Sequence, residues 1–277
     1  MLRGLSWLLL AGAVLYAAVC ILCAGFQRRL IYFPPRLAPA QVAAAAQAAG
    51  LERWTNAAGQ AIGMMRPSPT QPAVGRVLIV YGNGSWTGGC AHYVDEIQSR
   101  APFDVFILEY PGYADRTGSP SQENIFRAAD EALQQLDTNA PVYLVGESIG
   151  SGVAAYLAGM HPDRIAGLIL LSPYNRMTDV AQEHYPFLPV RLLLADRFPS
   201  EDYLCHYHGP VGIMVDGRDT VVPEKFGLRL YDGYAGPKQL WRFPAGYHIA
   251  IMESPSKFWG EVIGFWKTAP PHAQPVL

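Results

Sequence analysis

The chain carries two kinds of hydrophobic pattern. Residues 5–26 form an uninterrupted run without a charged side chain, with Arg3 before it and Arg28 and Arg29 after it. A helix rises ~1.5 Å per residue, so a helix over this run is long enough to span the ~30 Å hydrocarbon core of a bilayer. We therefore predict a single-pass membrane anchor at the N-terminal end of the sequence.

Downstream of this run, short apolar segments rich in β-branched residues alternate with helical segments. The runs VLIVY and LILL lack polar alternation, which indicates strands that are covered by helices on both faces. The pattern is typical of βαβ units and predicts an α/β fold with a mostly parallel central sheet. We expect strands at residues 77–81, 105–109, 142–145, 168–171, 211–215 and 240–243, helices at 122–136, 149–159, 223–231 and 255–266, and an edge hairpin at 51–66.

The sequence divides most simply into an anchor with its flanks, residues 1–36, and one α/β domain, residues 37–277. Within this domain, residues 174–209 interrupt the alternation with the aromatic, proline-punctuated and leucine-rich stretch YPFLPVRLLLADRFPSEDYL. Such an insertion between two strands predicts a cap over a pocket. The alternative is an ordinary packed connection between the strands.

A cleaved signal peptide is the main alternative to the membrane anchor. Arg3 would supply its positive start, and small residues follow Cys23 as at a cleavage site. The apolar core of a signal peptide is only ~7–15 residues long, however, so the longer run favours the anchor. The orientation is left open, because the amino terminus and Arg3 lie on one side of the run and further arginines lie on the other.

Composition narrows the possible functions. Hydrophobic residues make up 50% of the chain and charged residues 16%, with a formal net charge of -2. The chain lacks the basic surface that nucleic acids require, so we expect no nucleic-acid partner. No dinucleotide-binding or zinc-hydrolase motif is present, and we expect no cofactor and no metal. Four cysteines are too few for a disulfide scaffold, and the sequence leaves open whether Cys90 and Cys205 are oxidised.

The strongest chemical signal is the motif GESIG, which places Ser148 between a predicted strand and a predicted helix. In this context the pattern predicts a nucleophile elbow, a strained turn that exposes the serine at the end of the strand. A serine hydroxyl is a weak nucleophile at neutral pH. It therefore needs a base within hydrogen-bond reach and an acid that orients the base.

Candidates for the acid and the base follow Ser148 in the order that this elbow predicts. Asp219 lies on the loop after the strand GIMVD, where Asp216 is the competing carboxylate. His248 lies on the loop PAGYHI between the last strand and the last helix, which makes it the expected base. The other histidines fit structural roles better: His92, His161, His184, His206, His208 and His272.

Acyl chemistry at a serine also needs N–H donors for an oxyanion. We expect the backbone N–H groups of Ile149, at the start of the helix, and of Asn83, in the glycine-rich loop YGNGS, to supply them. A plain glycine turn is the alternative for that loop. The expected substrate pocket is lined by Trp86, Tyr174, Phe187 and Leu192.

These motifs resemble the Bem46-like serine hydrolases, the group that includes the ABHD12, ABHD13 and ABHD17 hydrolases. The resemblance covers nearly the whole chain, through FQRRLIYFPP, YGNG, YPGYADRTGSPS, GESIGSG, DRFPS, GRDTVVP and GYH. It implies an α/β-hydrolase fold, membrane association and hydrolysis of acyl esters or thioesters, with Ser148, Asp219 and His248 on the family's triad. The chain has Tyr81 where the family's loop usually has His.

Three functional hypotheses remain at this point. The first is a serine hydrolase that acts on a lipid ester or a protein thioester at a membrane surface. The second is a serine peptidase or small-ester hydrolase with the same triad. The third is a non-catalytic, membrane-bound interaction protein, which would have no reason to keep all three residues in this order.

Overall fold

An eight-stranded sheet forms the centre of the computed structural model, which describes residues 2–136, 139–249 and 255–269. The strand order is β1-β2-β4-β3-β5-β6-β7-β8. β2 pairs antiparallel with β1 and with β4, and all other neighbours are parallel. The strands are β1 (Glu52–Thr55), β2 (Ala61–Arg66), β3 (Gly75–Val80), β4 (Phe103–Leu108), β5 (Val142–Glu147), β6 (Ile165–Leu171), β7 (Val211–Asp216) and β8 (Lys238–Phe243).

Helices cover both faces of the sheet, as the continuous apolar strands require. In chain order they are α1 (Leu2–Ile31), α2 (Pro39–Ala48), α3 (Ala91–Gln98), α4 (Gln122–Gln135), α5 (Ile149–Met160), α6 (Met177–His184), α7 (Val190–Leu193), α8 (Ser200–Leu204), α9 (Glu224–Gly233) and α10 (Pro255–Thr268). The predicted strands, helices and hairpin are confirmed, with strand ends that differ by no more than three residues. The chain therefore has the α/β-hydrolase fold that the motifs implied.

The sheet register aligns the strand ends that carry the candidate residues. Val80 at the end of β3 pairs with Gly146 near the end of β5, so the YGNG loop begins beside the GESIG turn. Asp216 at the end of β7 pairs with Phe243 at the end of β8. The loops that follow these two strands, which carry Asp219 and His248, therefore start side by side.

Two parts of the chain lie outside this sandwich of sheet and helices. α1 has a mean hydropathy of 2.4 in its most apolar part, and that part is largely exposed outside the fold. Its length and composition are sufficient to cross a membrane. The segment between β6 and β7, where we expect the cap, contains the three short helices α6, α7 and α8. We call residues 174–209 the cap.

Candidate active site

Ser148 occupies a strained turn between β5 and α5. Its φ angle is +50°, a value that non-glycine residues rarely adopt, and its N–H donates to the carbonyl of Leu171 at 2.8 Å. The glycines on either side allow close packing. A Cβ on Gly150 would lie 2.0 Å from the carbonyl oxygen of Val80, and one on Gly146 would lie 2.7 Å from the Cβ of Ala154. The local sequence therefore folds into the elbow that its pattern predicts.

His248 and Asp219 form a short side-chain hydrogen bond. The distance from Nδ1 of His248 to Oδ2 of Asp219 is 2.6 Å. The other carboxylate oxygen of Asp219 accepts the N–H groups of Val221 and Val222, both at 2.8 Å. These bonds hold a carboxylate side chain that is only 1% exposed. With Nδ1 donating to Asp219, Nε2 is the ring nitrogen that is left to accept a proton.

Asp216, the competing carboxylate, has different partners. It is the last residue of β7, and its Oδ2 accepts the hydroxyl of Ser172 at 3.0 Å. Its carbonyl accepts the N–H of Asp219, which tightens the loop that carries the other acid. The imidazole of His248 is bonded to Asp219, and Asp216 closes the strand.

Three parallel strands bring the candidate residues to one edge of the sheet. Ser148 follows β5, Asp219 follows β7, and His248 follows β8. The carboxyl ends of parallel strands meet at a single edge, which is where ligands bind in open α/β sheets. This geometry is suited to acyl transfer to a serine, because a carboxylate-oriented imidazole lies at the same edge of the sheet.

The glycine-rich loop after β3 packs directly against the elbow. A Cβ on Gly82 would lie 3.4 Å from the Cβ of Ser148 and 2.4 Å from a carboxylate oxygen of Glu147. Glu147 is held in place by Tyr93, whose hydroxyl donates to its other oxygen at 2.6 Å. The loop that we expect to hold the oxyanion thus lies beside Ser148, together with Ile149 at the start of α5.

The side chain of Asn83 fastens this loop to the end of α1. Its Oδ1 accepts the N–H of Phe33 at 3.0 Å and the hydroxyl of Tyr113 at 2.8 Å. Its Nδ2 donates to the carbonyl of Ile31. Our sequence reasoning assigned only the backbone N–H of Asn83, and it missed the link to residues some fifty positions earlier.

A buried polar cluster supports the loop at Tyr81, the position at which the family usually has His. The Tyr81 hydroxyl donates to Glu109 and accepts the N–H of Tyr110 at 3.1 Å. Glu109 also accepts the N–H and the hydroxyl of Thr87, at 3.2 and 2.8 Å. Burial raises the pKa of Glu109 to about 7. Glu109 was not among our predicted site residues, although a carboxylate at the end of an apolar strand is a signal that could have identified it.

The predicted pocket residues have different environments. Tyr174 is buried and its hydroxyl donates to the carbonyl of Ile149 at 3.4 Å. Trp86 is half-buried and its indole lies over Gly88. Phe187 and Leu192 instead have 87% and 82% of their surface exposed. This placement corrects the expectation that they line a pocket within the chain, because apolar side chains so exposed face whatever surrounds the cap.

The remaining histidines have other environments. His161 bonds to Asp130 at 2.9 Å, and His184 to the carbonyl of Val221 at 2.9 Å. His272 lies outside the described residues. Among the residues that the structure describes, no group of three His, Cys, Asp or Glu side chains is arranged to hold a metal ion.

Comparison with known proteins places this geometry in context. Residues 75–203 match the family described as alpha/beta hydrolase fold. The uncharacterized protein Rv2307c of Mycobacterium tuberculosis is 33% identical over 229 residues, which cover 80% of each chain. The lysophosphatidylserine lipase ABHD12 of Danio rerio is 32% identical over 188 residues, covering 59% of this chain and 48% of that protein. The esterase Pf2001 of Pyrococcus furiosus superposes with a TM-score of 0.65 at 14% identity, covering 86% of this chain and 98% of its own.

Proposed function

The chain belongs to the ABHD12-like group of the α/β-hydrolases, and on that premise we propose that it is a serine hydrolase that cleaves carboxylic esters or thioesters. The observation that carries the proposal is the 2.6 Å bond between His248 and Asp219, at the sheet edge where Ser148 occupies its strained turn. An imidazole oriented in this way is a general base for a serine hydroxyl. We assign Ser148 as nucleophile, His248 as base and Asp219 as the orienting acid.

The reaction proceeds through an acyl-enzyme in two halves. Oγ of Ser148 attacks the substrate carbonyl carbon while its proton passes to Nε2 of His248. The leaving alcohol or thiol departs with that proton, and the acyl group stays on Ser148. Water then attacks the acyl carbon, gives a proton to His248, and the carboxylic acid is released as Ser148 regains its proton.

Backbone N–H groups stabilise the charge that develops on the carbonyl oxygen. We assign this role to Ile149, at the positive end of α5, and to Asn83 in the loop against the elbow. The Asn83 side chain is occupied by bonds to Phe33, Tyr113 and Ile31, and these bonds fix the loop that presents its N–H. Removing one such donor typically lowers kcat by roughly a hundredfold or more.

The substrate class that we propose is an acyl lipid or an acylated protein at a membrane. Support comes from α1, which is long and apolar enough to cross a bilayer, and from the apolar residues that the cap exposes beside it. The zebrafish relative is named a lysophosphatidylserine lipase. A tethered hydrolase meets acyl chains that the bilayer surface presents, so an acyl lipid is the substrate we favour.

Ester turnover by matched serine variants tests this function. We expect the purified full-length protein to hydrolyse p-nitrophenyl butyrate, and Ser148→Ala to abolish that hydrolysis because the covalent step is lost. Ser200→Ala is the control, since Ser200 is a buried serine at the start of α8. Equal turnover by the parent and Ser148→Ala would refute the assignment.

A further inference from the structure

An apolar groove lies between the C-terminal part of α1 and the cap. Its volume is about 240 Å³. One wall is formed by α1 and the other by α6, α7 and the segments beside them. The lining includes Ala24 and Ile31 on α1, and Ala181, Leu193 and Leu194 on the cap.

Polar contacts on the flank of the groove hold its two walls together. Gln27 donates to the carbonyl of Leu193 at 3.1 Å and accepts the N–H of Ala195 at 2.7 Å. Next to them, Asp196 is buried and accepts the hydroxyl of Tyr32 at 2.9 Å and the guanidinium of Arg28 at 3.3 Å. These hydrogen bonds therefore fix the distance between α1 and the cap.

The cap also contacts α1 far from the C-terminal end of the helix, where α1 joins the catalytic domain. The hydroxyl of Tyr16 donates to the carbonyl of Phe187 at 2.8 Å. Tyr16 lies ~22 Å along the helix from Ile31. Even if α1 spans the ~30 Å hydrocarbon core starting from Leu2, Tyr16 is roughly 9 Å inside the core. Phe187, which we call the cap tip, then lies among acyl chains beside Tyr16, and this position explains its exposure.

One residue of the groove is bonded to the loop beside Ser148. Ile31 lines the groove, and its carbonyl accepts the side-chain amide of Asn83. Gly82, the preceding residue of that loop, lies against Ser148. The α1 wall of the groove is therefore linked through Asn83 to the edge of the sheet that carries Ser148.

We propose that this groove binds the acyl chain of a bilayer lipid, which enters sideways between α1 and the cap and brings its ester carbonyl to Ser148. The inference rests on the proposed function and deepens it, because it makes the anchor helix part of the substrate site. The continuity of the groove with a membrane-spanning helix and with the exposed cap tip selects a lipid chain as the occupant.

Narrowing each wall of the groove tests this proposal. The full-length protein is reconstituted in phosphatidylcholine vesicles, and kcat/KM is measured for p-nitrophenyl palmitate and for p-nitrophenyl acetate. Ala24→Trp fills the groove from α1, and Ala181→Trp fills it from the cap. Ala18→Trp is the matched control, because Ala18 is exposed on α1 and does not line the groove.

The expected result is that the palmitate-to-acetate ratio of kcat/KM falls at least tenfold in both groove variants and stays within twofold of the parent in Ala18→Trp. A variant that a small fluorophosphonate does not label is taken as unfolded. The variant of the opposite wall then tests the proposal. An unchanged palmitate-to-acetate ratio in a folded groove variant would contradict acyl-chain binding in the groove. If that variant still cleaved the acetate ester, the proposed hydrolase function would be unaffected. A parent chain that cleaves neither ester overturns both.

Discussion

Gly82 has no room for a side chain beside the elbow. A Cβ there would lie 2.4 Å from a carboxylate oxygen of Glu147, which Tyr93 holds in place, and 3.4 Å from the Cβ of Ser148. We expect Gly82→Ala to displace the oxyanion loop and lower kcat on p-nitrophenyl butyrate roughly tenfold to a hundredfold.

Thermal unfolding should show at most a small loss of stability for that variant. The control is Gly233→Ala, since a Cβ on Gly233, at the end of α9, meets no atom within 4 Å. If Gly82→Ala kept the parent's kcat, the loop would have no part in catalysis.

Glu109 makes folding stability depend on pH. Burial raises its pKa from the ordinary value of 4.5 to about 7. Such a carboxyl stabilises the fold fully below its unfolded pKa, and this stability is lost as pH rises through the folded pKa. The loss amounts to roughly 3 kcal/mol.

Glu109→Gln is neutral at every pH and should escape this loss. The free energy of unfolding of the variant relative to the parent should therefore improve by up to roughly 3 kcal/mol between pH 5 and pH 8. Urea unfolding at both pH values measures it, with the exposed Glu123→Gln as control. A difference that does not change with pH would mean that Glu109 is ionised throughout.

Individual residues were predictable where local pattern determines their surroundings. Ser148 stands in an elbow motif, and Asp219 and His248 each follow a strand in the right chain order. The partners of Asn83 and Tyr81 were not predictable in this way. They join loops separated by up to about fifty residues, and no periodic pattern records such contacts.

The end of α1 is bonded to the YGNG loop, residues 81–84. Asn83 donates to the carbonyl of Ile31 and accepts the N–H of Phe33. A chain that starts at Arg36 loses both partners, and we expect its kcat on p-nitrophenyl butyrate in detergent to fall about tenfold. Asn83→Ala in the full-length chain should cause a similar loss, because it removes the same bonds.

Combining the two changes distinguishes this link from two separate effects. If Asn83 acts through the end of α1, the shortened chain with Asn83→Ala should be hardly slower than either single change, since coupled changes are not additive. Losses that multiply would contradict the coupling. The comparison of kcat among the four chains is a double-mutant cycle.

Elements were predictable in proportion to their length and burial. The sheet strands have uninterrupted apolar runs, and α4 is preceded by the N-cap Ser121, whose hydroxyl accepts the N–H of Asn124. The cap helices α7 and α8 have only four and five residues, too few for a helical period to show. The contacts of α7 and the segment after it with α1 join parts of the chain more than 160 residues apart.

The whole molecule is expected to behave as an integral membrane protein. α1 is apolar and exposed along the part that would cross the bilayer. The full-length chain should therefore stay in the membrane pellet after a carbonate wash, whereas a chain that starts at Arg36 should be released. N-terminal sequencing that found a mature chain starting near Phe26 would indicate a cleaved signal peptide instead.

The assignment of Ser148 as the nucleophile is tested most directly by mapping a covalent adduct. The full-length protein is treated with a fluorophosphonate in detergent, and its peptides are analysed by mass spectrometry. We predict one adduct per chain, on Ser148, that is absent from Ser148→Ala, much slower to form in His248→Ala and unchanged in Ser200→Ala. An adduct on another residue, or ester hydrolysis by a protein whose Ser148 stays unlabelled, would contradict the assignment.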